Sequence, residues 1–123
     1  MPSFVNTAKQ KMLAGQPAYG FSLGTGSPIV AELLSRSGID FCMVEMQHGT
    51  WGTDSAYQAF IAIAGGTATP MARVAKNDYT FIGKLLDQGC LGIVVPMVDT
   101  PEQAKAAADA CHLPPRGTRS WGV

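Results

Sequence analysis

Four short strand-like runs, at residues 18–23, 39–46, 69–74 and 91–95, punctuate the chain, the third broken by Pro70 at its start; a stretch of helical period follows each, and those at 39–46 and 91–95 are apolar nearly throughout. Runs of this kind, apolar at nearly every position, are what parallel strands buried on both faces require. The intervening stretches carry their own punctuation. Ser27 as N-cap and Pro28 in the first turn start a helix whose stripe is Ile29, Val30, Leu33 and Leu34, and Gly38 stops it. Residues 53–64 form the next helix, with Tyr57, Phe60, Ile61 and Ala64 inward, and Gly65-Gly66 ends it. Residues 79–88 place Phe81, Ile82, Leu85 and Leu86 inward before Gly89. Thr100, with Glu102 or Gln103 behind it and Pro101 in the first turn, opens a last helix that runs through the alanines to about Cys111. Residues 112–123 read as loop. An amphipathic helix at residues 4–13, with Phe4, Val5, Ala8, Met12 and Leu13 on one face, precedes the first strand.

The order is therefore a leading helix followed by βαβαβαβα, which predicts an α/β fold with a parallel sheet and right-handed crossovers. Residues 29–45 and 81–97 echo each other: helix stripe, glycine stop, buried strand, two βα units apart. Such a repeat favours a β/α barrel over a flavodoxin-like sheet. With 123 residues the chain is one domain, residues 1–123, long enough for a core without disulfides. Apolar residues make up 46% and charged residues 15%, which calls for a sheet covered on both faces or a surface meant for another chain. Nine basic residues balance nine acidic ones with no basic cluster, so neither nucleic acid nor an anionic membrane is an expected partner. Cys42, Cys90 and Cys111 show no metal-ligand spacing and read as buried hydrophobes in a reducing compartment. Asn6, Lys9, Gln10 and Lys11 stand where a secretory signal would be apolar, and no run reaches transmembrane length, so a cytoplasmic location is expected.

Chemistry concentrates at residues 41–52, FCMVEMQHGTWG, where a buried strand ends in Glu45, Gln47 and His48 and then in glycines. Parallel α/β enzymes deliver catalytic groups at this end of a strand. An imidazole there has a pKa near working pH, suited to moving protons. Arg73 occupies the next tip, with a surface salt bridge to Asp78 as its plainer reading, and Lys76, Asn77 and Asp78 follow it. Trp51 could line the mouth or pack under the loop. Residues 24–27 lack a phosphate-binding pattern and read as a turn, and Met43, Met46, Met71 and Met97 as core filler.

The acid-x-x-His-Gly tip, the Arg-Val…Asn-Asp turn at residues 73–78, the Val-Pro-Met-Val strand end at 95–98 and the Pro-Pro-x-Gly-x-Arg loop at 114–119 occur in this order, and together they resemble the HpcH/HpaI aldolase family. The resemblance covers the chain from about Gly20 onward. It implies the (βα)4 N-terminal half of a TIM-type barrel with a leading helix, since the whole fold has eight strands and about 250 residues. It implies metal-dependent, reversible cleavage of 4-hydroxy-2-oxo acids to pyruvate and an aldehyde, with a small 2-oxo acid as ligand and a homo-oligomer as the assembly. By the same resemblance His48 and Glu45 would handle the proton, Arg73 would clamp the keto oxygen and enolate, and Gln47, Pro96, Met97 and Val98 would line the substrate site. The implied metal, Mg²⁺, Mn²⁺ or Co²⁺, takes its carboxylate ligands from later strands, and this chain offers none. Two departures stand out. Glu45 replaces the more usual Asp, displacing the carboxylate by ~1.5 Å, and Ser120 replaces a glycine beside Arg119, while Arg116 matches no family position. Competing readings are a non-catalytic fragment or self-associating half barrel, whose two open edges and apolar face would accept a second copy, and a related acyl-CoA lyase.

Overall fold

The computed structural model describes residues 5–122. After α1 (Thr7–Leu13), strands and helices alternate: β1 (Gly20–Leu23), α2 (Pro28–Ser35), β2 (Phe41–Glu45), α3 (Thr53–Ala64), β3 (Thr69–Arg73), α4 (Tyr79–Asp87), β4 (Gly92–Val94) and α5 (Pro101–Cys111). The four strands form one parallel sheet in the order β1-β2-β3-β4. Sequential order is that of a β/α barrel and excludes the flavodoxin-like arrangement, in which the chain doubles back at a switch point.

The local signals formed the ends they announce. Ser27 caps α2 by accepting from the Val30 N–H, and Thr100 caps α5 while Gln103 Oε1 accepts from the Thr100 N–H in return. Strand ends are shorter than the apolar runs because pairing, not hydrophobicity, sets them. Just before β2, the Asp40 carboxylate accepts the Tyr19 N–H and pairs with the Lys11 ammonium, at 2.9 and 2.6 Å. Those contacts, Lys11 first, hold its carboxyl below the usual range. Its main-chain carbonyl takes the Thr69 N–H. One residue thus ties α1, β1, β2 and β3 at the N-terminal end of the sheet.

Cys42, Val44 and Ala72 face the helices and are fully buried against Ala31, Ala56, Ala59, Phe60, Ile63, Ile82 and Leu85. Alanines on α2 and α3 thus pack beside the larger Phe60, Ile63, Ile82 and Leu85. Several residues expected inward are not core. Ile29 and Leu33 of α2 are 70% and 66% exposed, and Val5, Met12, Leu13, Tyr57, Ile61 and Ala64 are exposed as well. Ala31 and Ser35 take the buried face of α2 instead, and Ala56, Ala59 and Ile63 join Phe60 on α3. In α4 the inward set holds, with Ile82 and Leu85 buried and Phe81 and Leu86 half-buried. Phe4 lies outside the described residues. Cys42 and Cys90 are buried, Cys111 is half-buried, and all three are free thiols. Burial pushes Cys42 up to about 11 and Cys90 to about 12. Among the described residues no helix is long and apolar enough to cross a membrane.

The leading helix docks through Thr69, whose buried Oγ1 accepts the Ala8 N–H in the first turn of α1 and lies 3.3 Å from Thr7 Oγ1. Thr69→Val keeps the shape but leaves that N–H unpaired. It should lower stability by about 1–2 kcal/mol, and hydrogen exchange should show α1 amides opening faster than those of α3.

Candidate active site at the strand tips

Glu45 and Arg73 are register partners at the C-terminal ends of β2 and β3, on the sheet face opposite the helices. Glu45 is only 5% exposed. Its Oε1 accepts the main-chain N–H groups of Gln47 and His48 at 2.8 and 3.1 Å, and its Oε2 meets Arg73 Nε at 2.5 Å. The Nε–H does not point along that line, so the contact acts as an ion pair more than as an aligned hydrogen bond. Burial alone would raise the carboxyl pKa. The His48 N–H, the Arg73 guanidinium and the Gln47 N–H outweigh it and hold Glu45 below the ordinary carboxylate value.

The loop carrying His48 is fastened to β1 as well. Thr50 donates its N–H to the Gly24 carbonyl at 3.0 Å, and the buried Trp51 donates Nε1–H to the Leu23 carbonyl at 2.5 Å. Gly49 makes this closure possible, because a Cβ there would stand 2.2 Å from the Glu45 carbonyl and 3.1 Å from Gly24. Trp51 therefore packs under the loop and does not line a mouth. The His48 ring projects from this frame, exposed and without a hydrogen bond among the described residues. The sequence places Glu45 and His48 together, and so does the structure, but the carboxylate reaches the main chain of His48 and not its ring.

Arg73 pairs with Glu45 and not with Asp78, which caps α4 by accepting the Phe81 N–H and lies 3.6 Å from Lys76. Both terminal Nη groups of Arg73 are free of hydrogen bonds among the described residues, and its side chain is about one-third exposed. The guanidinium is thus held by one edge and open at the other. Gln47 is half-buried and joined to Glu45 by its own main-chain N–H. Pro96, Met97 and Val98 leave β4, whose Val94 is the register partner of Arg73. Met97 has a φ of 56°, a left-handed conformation unusual for a residue with a side chain, and it stands outward. Pro96 is half-buried and Met97 and Val98 are exposed, so the three form an open rim at the tip of β4.

A hollow of about 630 Å³ lies elsewhere, between α3 and α4 at the N-terminal end of the sheet, lined by Tyr57, Phe60, Ile61, Pro70 and Leu91. Size does not make it the site, since it holds no histidine, arginine or lysine. The loop after α5 is strapped to α4. Arg119 pairs with Asp87, and Tyr79 Oη donates to the Thr118 carbonyl and accepts the Ser120 N–H. Arg119 is accordingly used in holding that loop, and Arg116 is exposed. The anchoring roles of Asp78 and Thr50 escaped the sequence reading. An Asp one residue before the helical stripe of α4 was a legible cap signal, whereas the reach of Thr50 to Gly24 was not.

Among the described residues no three His, Cys, Asp or Glu side chains come together. The one buried carboxylate at the tips already faces a guanidinium, a cation in the place a metal would need. The residues present do not fit a divalent ion.

Residues 4–121 match the HpcH/HpaI aldolase/citrate lyase family. A hydroxypyruvate/pyruvate aldolase of Agrobacterium fabrum is 37% identical over the whole of this chain, which covers 46% of that protein. A 4-hydroxy-2-oxo-heptane-1,7-dioate aldolase of Escherichia coli is 34% identical over 95% of this chain and 45% of its own length. Among solved structures, an HpcH/HpaI aldolase/citrate lyase family protein from Burkholderia cenocepacia overlays 97% of this chain with a TM-score of 0.86 at 27% identity, and this chain covers 48% of it. The chain spans about half the length of the relatives it matches, and these neighbours are TIM-barrel-type structures. The match runs from one end of the described fold to the other, and the chain belongs to the HpcH/HpaI aldolase/citrate lyase family.

Proposed function

We propose that this chain is the N-terminal half of a pyruvate-type aldolase and supplies the anion-binding and proton-handling side of its site. Arg73 carries the reading: its Nε edge is fixed by Glu45 while both Nη groups face outward at a strand tip. A guanidinium so held presents two parallel donors to adjacent oxygens, the carboxylate and keto oxygens of a 2-oxo acid. When the C3–C4 bond of a 4-hydroxy-2-oxo acid breaks, its electron pair moves toward the keto oxygen as an enolate. A preorganised cation at that oxygen favours this charge more than it favours the ground state. The proton leaving the 4-hydroxyl, as that carbon becomes an aldehyde, goes to the His48 ring. The same proton is then available to C3 of the enolate, giving pyruvate.

Glu45 serves in this scheme as a positioning residue. Its carboxylate engages Arg73 and the main chain of His48, so it orients both without contacting the reacting atoms. Gln47 and the rim of Pro96, Met97 and Val98 would bound the aldehyde side. The implied divalent metal enters no step, since the residues here do not hold it. Three unpaired thiols, two of them buried, support a reducing, cytoplasmic setting.

Pyruvate release from a 4-hydroxy-2-oxo acid should be lost in His48→Ala with the circular dichroism spectrum unchanged. Arg73→Lys should lower kcat/KM by roughly 10²-fold, because an ammonium cannot supply both donors. Pyruvate titrated into ¹⁵N-labelled protein should shift the Arg73 side-chain resonances, and no shift at saturation would contradict the assignment. Glu45→Ala should cost about 2–4 kcal/mol by stranding Arg73 and two loop N–H groups, the arginine's exposure keeping the loss moderate; chemical denaturation measures it.

A further inference from the structure

We propose that Trp51 is a positioning residue for His48, its buried indole N–H fixing where the turn that carries the imidazole stands. The proposal rests on the reading of His48 as the proton carrier and extends it. A ring that is exposed and makes no hydrogen bond among the described residues keeps a set place only if its main chain is held. The turn is held at both ends. At its start the Met46 N–H donates to the Arg73 carbonyl at 2.9 Å, which ties it to β3. At its end Thr50 donates its N–H and its hydroxyl to the Gly24 carbonyl, at 3.0 and 3.3 Å, and Trp51 donates Nε1–H to the Leu23 carbonyl at 2.5 Å. Those bonds tie it to β1. Glu45 closes the turn from within, through the Gln47 and His48 N–H groups, and leaves residues 49–51 to the β1 contacts.

The two β1 anchors differ in how firmly they hold. Thr50 is exposed, and water can replace either of its bonds at small cost. Trp51 is 7% exposed and shares the core cluster with Leu23 at 4%. Its N–H has no water to turn to, so releasing the Leu23 carbonyl strands a buried donor. The acceptor is as fixed as the sheet, because Leu23 is still in register with Val44 of β2. Contact between main chains completes the seat. Gly26, at a φ of 67°, lies so close that a Cβ there would meet Thr50 Oγ1 at 2.6 Å and the Thr50 carbonyl at 2.9 Å. The turn therefore has no room to slide toward β1, and the indole bond keeps it from lifting away. Gly52, the next residue, is the N-cap of α3, so the start of that helix and the His48 turn share one anchor.

Trp51→Phe keeps an aromatic ring in the core and removes the donor. Pyruvate release should fall roughly 10–100-fold in kcat with KM unchanged, since the Arg73 guanidinium is untouched. Amide order parameters measured by NMR should fall at residues 47–50 and hold in β2 and α3. A second measurement needs no variant to fold: in the unmodified protein the Trp51 indole N–H should exchange with solvent roughly 100-fold more slowly than that of Trp121, which is 70% exposed. Equal exchange at the two indoles overturns the proposal. So does a Trp51→Phe protein whose residues 47–50 are as ordered as before, one whose KM rises with kcat unchanged, or one in which β2 and α3 loosen equally, the mark of a merely structural tryptophan. Pyruvate release that survives His48→Ala would instead defeat the proton reading, and the order of residues 47–50 would still decide whether Trp51 holds the turn.

Discussion

Two strand tips and one loop meet in a single carboxylate. Glu45 ends a buried strand, so its charge is tolerable only if it is neutralised and hydrogen-bonded, and the fold supplies both from groups it must place anyway. Arg73 arrives because β2 and β3 pair in register, and the Gln47 and His48 N–H groups arrive because Gly49 lets the chain turn back tightly. The direction of the chemistry follows. With Glu45 occupied on both oxygens, what remains free at the tip is the outer edge of a guanidinium and an exposed imidazole.

The two ends of the sheet use the same device for different ends. At the N-terminal end Asp40 gathers Lys11, Tyr19 and the start of β3, and the result is stability alone. At the C-terminal end Glu45 gathers Arg73 and the His48 loop, and free donor groups are left over. Between them lies a core in which alanines on α2 and α3 pack beside Phe60, Ile63, Ile82 and Leu85, while other large apolar residues such as Ile29, Leu33 and Ile61 stand outward.

That division explains what was legible in the sequence. Helix starts at Ser27 and Thr100 were readable because a cap is a contact over three residues. The alternation of buried runs and helical stretches gave the parallel sheet, and the motif order gave the family. The stripe of α2 misled, because Ile29 and Leu33 satisfy helical period equally well on the outer face; only the close fit of Ala31 and Ser35 to the sheet decides which face turns in. The Glu45–Arg73 pair was not legible, since it joins residues far apart in the chain through strand register. Sequence reading joined Glu45 to the nearby imidazole, whereas the carboxylate's contacts are the main chain beside it and the neighbouring strand.

The state of the Glu45 carboxyl decides between these pictures. Its folded-state pKa is depressed below the ordinary 4.5, so the ionised clamp stabilises the fold above the unfolded value. That contribution disappears as pH falls through the folded value. A ¹³C-detected NMR titration of the Glu45 side-chain carboxyl should give a midpoint below 4.5 that moves up in Arg73→Gln. A midpoint at or above 4.5, unchanged by that substitution, would show that burial and not the clamp governs the carboxyl, and would contradict the central role given to the pair.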